Sequence, residues 1–365
     1  MYDRRTLLRA IGTGTAATLA GCSVVGDSAG GERTVTDDAG REVSLPEDVD
    51  RVVAVGPGAL RQVAYLGATD RVVGVEDGER DWIRTVPYNM ANRDLRNNPV
   101  IGSAGPNAGG NAEEILSVDP DVIFFYGDNS RAESLQSQTT TPVVSLQITD
   151  LGGETTRTGI YETWRLVGDV LGLDGRADDL STFVEGTIED LHERTADIPD
   201  ANRVEAYAGA VSYKGAHGLA TTRKRFAPFA YAGVDNVAGG VGTDSPSVQI
   251  SEERLLDWNP DVIFVDSNNR DRARSDLDSE TFDGLTAVSE DEVYTLLPHA
   301  SYHHNYGSIL ANAYFVGTTL YPDRFSDSDL STTIDSIFET MLGAPLYDDL
   351  RDTYEAHRRL DDLDG

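Results

Sequence analysis

Lysine is almost absent from this chain. Among 365 residues 30 are basic, and only Lys214 and Lys224 of these are lysines. Set against 62 acidic residues, they leave a formal charge of −32. No broad basic face can form from this composition, which excludes nucleic acid as a partner, because phosphate contacts need clustered cations. An acidic, lysine-poor surface is what very high salt permits, since screening removes most of its self-repulsion, and a halophilic host is expected. Cysteine is also nearly missing. Cys22 stands alone, which rules out any disulfide within the chain. No apolar run reaches the length of a membrane-spanning helix. Histidine is rare, yet three of the six, His299, His303 and His304, fall within six residues. What remains is 39% hydrophobic and regularly patterned, unlike an acidic disordered chain.

The first residues read as an address. Arg4-Arg5 precede Leu7-Leu8, a Gly/Ala/Thr-rich run and Leu19-Ala20-Gly21-Cys22. Paired arginines before a mildly apolar region match a twin-arginine export signal, assigned to residues 1–21. Leu-Ala-Gly-Cys resembles a lipoprotein-processing box, so Cys22 is the expected lipid anchor. Residues 22–33, rich in Gly, Ser and Asp, suit a flexible tether. The expected product is exported and held on the outer face of the cell membrane by lipid alone.

The mature chain says one thing twice. Pro120-Asp-Val-Ile-Phe-Phe125 returns 140 residues later as Pro260-Asp-Val-Ile-Phe-Val265, and the same offset lays Glu113 on Glu253 and Leu116 on Leu256. Each copy reads as a short helix, a proline that ends it, and a continuously apolar strand. Such strands belong to parallel sheets covered on both faces. The predicted fold is α/β, with two similar lobes over 34–158 and 199–365. Between them, residues 159–198 carry helical spacing without a strand and read as a rigid strut. Terminal helices are expected over 330–342 and 346–360.

Candidate site residues lie where strands end. Gly56-Pro57-Gly58 follows the apolar run 51–55 and is a ligand-lining turn, without the fuller glycine-and-lysine pattern of nucleotide sites. Residues 76–112 read as a long polar loop, with Trp82 and Tyr88 as exposed stacking surfaces. Both lysines and two arginines sit within 214–225, so Tyr213, Lys214, His217 and Arg223 are expected to meet an anionic ligand group or a partner. Before the helix expected at 309–320, Tyr302 and His303 are placed to cap or stack on a metal chelate. His299 and His303 are four apart and on a helix would share a face, making them a candidate metal pair. The carboxylate of a His-Glu-x-x-His zinc motif is missing there, and no nucleophile–base pair is specific, so a binding module is expected and not an enzyme. A lipid-anchored metalloenzyme using His299 and His303 is the rival reading, and a cell-surface scaffold a second.

Export signal, lipobox, twin lobes, helical strut and the duplicated motif together resemble the iron-siderophore, vitamin B12 and metal-chelate group of substrate-binding lipoproteins from ABC importers. The likeness spans about residues 50–325 and is nearest to archaeal cobalamin-binding members. It implies a class III architecture with a ligand cleft between lobes, little closing motion, and a permease and an ATPase as partners of a monomer. It also implies that Glu113 and Glu253 dock on the permease, with Glu114 and Glu252 as neighbours able to share the role. Glutamates in a first helical turn also favour the helix dipole without docking anything. The ligand implied is a corrinoid such as cobalamin, with a ferric siderophore, haem or another metal chelate as the alternative. No cofactor is implied beyond such a ligand.

Overall fold

The computed structural model describes residues 32–105, 108–212, 217–242 and 247–364. The export segment, Cys22 and most of the tether lie outside the described residues, as do Tyr213 and Lys214. Strands are β1 (Glu32–Thr36), β2 (Glu42–Pro46), β3 (Val52–Val55), β4 (Val72–Gly74), β5 (Val122–Phe125) and β6 (Val143–Ser145) in the first half. In the second they are β7 (Glu205–Gly209), β8 (Thr221–Thr222), β9 (Asp235–Asn236), β10 (Val248–Gln249), β11 (Val262–Asp266) and β12 (Val293–Leu296).

Two four-stranded parallel sheets result, ordered β4-β3-β5-β6 and β12-β11-β7-β9. Counted from its own first strand, each sheet runs second-first-third-fourth, so the lobes share one topology. Every side chain of β5 and β11 is buried, as a strand covered by helices on both faces requires. The helices leading into them, Ala112–Ser117 and Glu252–Trp258, are capped by Asn111 and Ser251. Their exits are alike too. Asp119 (φ 46°) and Asn259 (φ 43°) turn left-handed immediately before Pro120 and Pro260, so neither helix can continue. Smaller antiparallel pairs, β1 with β2 and β8 with β10, complete the strands.

Between the sheets run the helices Glu154–Leu171 and Asp174–Thr195, turned at Gly172 in the left-handed region (φ 68°). The strut thus begins a few residues earlier than its apolar spacing suggests. At 1.5 Å per residue its second helix is about 33 Å long, enough to span a small domain. Trp164, fully buried, fastens the first of them. Its ring lies 5.9 Å from Tyr65 of the helix Ala59–Tyr65 and 6.0 Å from Tyr306 of the helix Tyr306–Leu320. Three elements from both halves of the chain therefore meet on one side chain.

Two expectations are corrected. Residues 76–112 are not an open loop. They fold into short turns Asp77–Arg80 and Arg93–Asn97 and a helix Pro87–Ala91, and bury Ile83, Val86 and Leu95. Those apolar residues are too thinly spread for periodicity to reveal, and Pro87 starts the helix by its fixed φ. The last expected helix stops at Tyr354 instead of 360. Glu355 adopts φ 47°, and the chain then runs beside β12, with His357 N donating to Thr295 O at 2.8 Å and Leu360 N to Val293 O at 2.8 Å. No helix among the described residues is long and apolar enough to cross a membrane.

Candidate functional site

The carboxyl ends of both sheets face one seam. From the first lobe, β3 ends at Gly56, whose N–H donates to Glu76 Oε1 at 3.1 Å. Only glycine fits there. Its φ is 97°, and a Cβ would stand 2.1 Å from the carbonyl oxygen of Tyr126. Pro57 is half-buried beside it, and a Cβ on Gly58 would touch Cβ of His303 at 2.8 Å. One turn further on, Arg61 is 1% exposed. Its guanidinium donates to the carbonyls of His304 and Ser301, both at 2.7 Å, and lies over the Tyr88 ring at 5.0 Å. Among the described residues it forms an ion pair with no carboxylate, and its Nε is buried without a partner.

The second lobe contributes the segment between β12 and the helix at Tyr306. It is not helical, so His299 and His303 do not share a helix face as their spacing suggests. Tyr302 (φ 50°) and His303 (φ 89°) instead form a tight left-handed turn closed by the pairing of Ala300 with His304. His299 turns inward and stacks on Phe226 at 5.4 Å, while its backbone N–H donates to Asp266 Oδ2 at 3.2 Å. His303 reaches across the seam, its Nε2 3.2 Å from the Tyr126 hydroxyl. His304, which spacing does not single out, lies between them, its ring 5.5 Å from His299 and 4.7 Å from His303. The three rings make a row instead of converging. Among the described residues no three His, Cys, Asp or Glu are grouped closely enough to hold a metal ion.

Tyr302 seals the seam. Its hydroxyl donates to Glu76 Oε2 at 2.6 Å and accepts from Gly105 N at 3.1 Å. Trp82, 50% exposed, stands edge-on to it at 5.1 Å and so keeps the accessible aromatic face expected of it. Tyr88 does not. It is 1% exposed, and its hydroxyl donates to Glu79 Oε1 at 2.6 Å, beside an Asn89 amide that bonds the other oxygen. Tyr88 is part of the floor beneath Arg61.

Electrostatics favour anions here. Burial, followed by the charges of Arg223 and Arg61, brings His304 down to about 3. His299 and His303 are likewise held well below 6.5 by burial first and neighbouring charge second. All three are neutral imidazoles at any pH near 7, and each has a buried Nδ1 without a partner. Burial raises Glu76 to about 7 and Asp266 to about 6, and pushes Glu79 upward too, so the nearby carboxyls resist ionisation. Arg223, 2% exposed at the end of β8, supplies the second buried cation. His217 stands apart from this row, its backbone N–H donating to Asn269 Oδ1 at 3.2 Å. Glu113 and Glu253 are both exposed on the first turns of matched helices.

Comparison with known proteins adds the decisive observation, since the family described as periplasmic binding protein matches residues 52–300, most of the chain. The chain belongs to that family. The molybdate-binding protein MolA of Haemophilus influenzae is 25% identical over 300 residues, covering 75% of this chain and 80% of the relative. An uncharacterized ABC transporter substrate-binding lipoprotein of Bacillus subtilis is 19% identical over 76% of this chain and 81% of its own length. Among solved structures, MolA bound to molybdate superposes with a TM-score of 0.68 at 22% identity, covering 86% of this chain and 98% of that one. A periplasmic solute binding protein from Veillonella parvula gives 0.69 at 20% identity, with 89% and 97% covered. These structures share the two-lobed fold of this periplasmic binding protein.

Proposed function

We propose that this protein is the extracytoplasmic solute-binding component of an ABC importer, tethered through lipidated Cys22, and that its ligand is a small tetrahedral oxyanion of the molybdate class. One observation carries the ligand: three buried nitrogens, Nδ1 of His299, His303 and His304, lack partners along the seam. Each unsatisfied buried polar atom costs about 1–3 kcal/mol, so such a concentration points to a ligand that completes them. Two buried guanidiniums flanking the imidazoles suit an anion and repel a metal cation, and each neutral imidazole can turn one N–H toward the anion. The likeness to a molybdate-binding relative supports the same reading.

A corrinoid or ferric chelate is the second reading, supported by the exposed Trp82 ring against Tyr302. It loses the support expected from Tyr88. Calorimetry of the Cys22→Ser chain in molar potassium chloride separates the two. Molybdate or tungstate is expected to bind one-to-one, with loss of binding in Arg223→Gln. Binding of cobalamin or a ferric siderophore, with no response to either oxyanion, overturns the proposal.

Glu113 and Glu253 are proposed as the permease contacts, supported by their equivalent exposed positions in the two lobes. Glu113→Ala combined with Glu253→Ala should reduce cellular uptake and leave the calorimetric affinity unchanged. A matching loss of affinity would place these residues in the site instead.

A further inference from the structure

The histidine segment belongs to the second lobe, but the first lobe holds its shape. Two consecutive non-glycine residues, Tyr302 and His303, have positive φ, a backbone state that persists only where surrounding contacts over-determine it. Within the segment itself few contacts do so: Ser301 N donates to His303 O at 2.9 Å, and Asn305 N to His299 O at 3.1 Å. Its own lobe adds His299 N to Asp266 Oδ2 at 3.2 Å and Asn268 Nδ2 to Ala300 O at 3.3 Å, which hold the first residues of the segment but neither Tyr302 nor His303. The ties on those two residues' side chains cross the seam. Glu76 and Gly105 hold the Tyr302 hydroxyl, Tyr126 meets His303, and Arg61 grips the carbonyls at both ends of the turn.

Among these ties Arg61 is distinctive, because one planar group makes two bonds to backbone three residues apart. A single ammonium cannot reproduce that fork. Its own orientation is set from below by the Tyr88 ring, itself fixed by Glu79. We infer that Arg61 is a positioning residue: carried by the first lobe, it fixes the strained histidine turn of the second, so that the ligand site exists only while the lobes are apposed. The inference deepens the oxyanion reading and rests on it for the identity of the ligand, but the clamp itself is a property of the ligand-free protein.

The test uses Arg61→Lys, which keeps the charge and removes the fork, with Arg61→Ala beside it, in the full Cys22→Ser chain. Hydrogen exchange is followed without ligand for the peptide covering 299–305, with β11 as an internal reference. At least tenfold faster exchange of Ser301 and Asn305 amides is expected in Arg61→Lys, with β11 unchanged. Molybdate affinity should then fall at least tenfold despite the retained charge. Parent-like exchange in Arg61→Lys overturns the clamp, as does accelerated exchange accompanied by unchanged molybdate affinity. If Arg61→Ala fails to fold, Arg61→Lys alone decides between these outcomes. Faster exchange in Arg61→Lys, together with a parent protein that binds no oxyanion, would sustain the clamp and defeat the ligand assignment.

Discussion

Trp164→Ala is expected to cost about 4 kcal/mol of stability, as for other fully buried large aromatics replaced by alanine. The residue has no exposed surface and packs against Tyr65, Tyr161 and Tyr306 at 5.9, 5.8 and 6.0 Å. Those neighbours come from three helices, so no local collapse can refill the space. Its indole N–H also donates to Gln62 Oε1 at 2.9 Å in a buried setting. The truncated protein keeps that acceptor buried and unpaired, which adds to the loss. Gln62 in turn donates from Nε2 to Gly58 O at 3.1 Å, tying the strut to the seam turn. Trp164→Phe keeps most of the apolar area and loses the hydrogen bond, so a smaller cost of roughly 1–2 kcal/mol is expected. Urea unfolding of the three proteins in molar salt measures both. A cost below about 1 kcal/mol for the alanine variant would show that the aromatic cluster is not what unites the halves.

Glu76→Gln should stabilise the protein above neutral pH and do nothing for it in mild acid. Burial is the main cause that raises this carboxyl from 4.5 to about 7, partly offset by hydrogen bonds from Tyr302 and Gly56, with Glu79 and Asp77 adding repulsion. The folded protein therefore holds the proton more tightly than the unfolded chain. The associated stability is fully present below 4.5, falls as pH rises through about 7, and stays lost above that. At 1.36 kcal/mol per pKa unit the difference approaches about 3 kcal/mol. Glutamine, neutral like the protonated acid and with one acceptor oxygen, escapes the loss. Denaturation of parent and variant at pH 4 and pH 8 should show nearly equal stabilities at the first and a variant advantage of roughly 2–3 kcal/mol at the second. A variant no more stable at pH 8 would mean that Glu76 is not penalised when ionised.

Much of the scaffold was legible in the residues. Strands β3 and β5 are continuous apolar runs, and the return of β5 as β11 at a fixed offset announced two lobes before any coordinate. The helix ends before β5 and β11 were implied by Pro120 and Pro260, but their left-handed form at Asp119 and Asn259 was not. The site was legible only in part. Gly56, Trp82, Arg223, Tyr302 and His303, which the structure places at or near the seam, stood out because they are glycine, aromatic, histidine or charged residues near strand ends. Arg61 was not, being one charge inside a helix turn reading Ala-Leu-Arg-Gln-Val-Ala-Tyr. Its partners Ser301 and His304 are 240 and 243 positions away, a separation at which no local pattern can register. His304 was passed over because helical spacing selected His299 and His303, and the segment is not a helix. Tyr88 was misjudged because polar neighbours in sequence hid the fact that Glu79 and Asn89 fold over it.

That one lobe shapes the other's ligand turn bears on kinetics. A pocket built wholly within one body can loosen by degrees and keep a graded hold on its cargo. If the proposed site and clamp hold, half-separation strips the turn of Arg61, Glu76 and Tyr126 together. Opening and letting go would then be a single event, with the lifetime of the loaded state set by the lifetime of the seam.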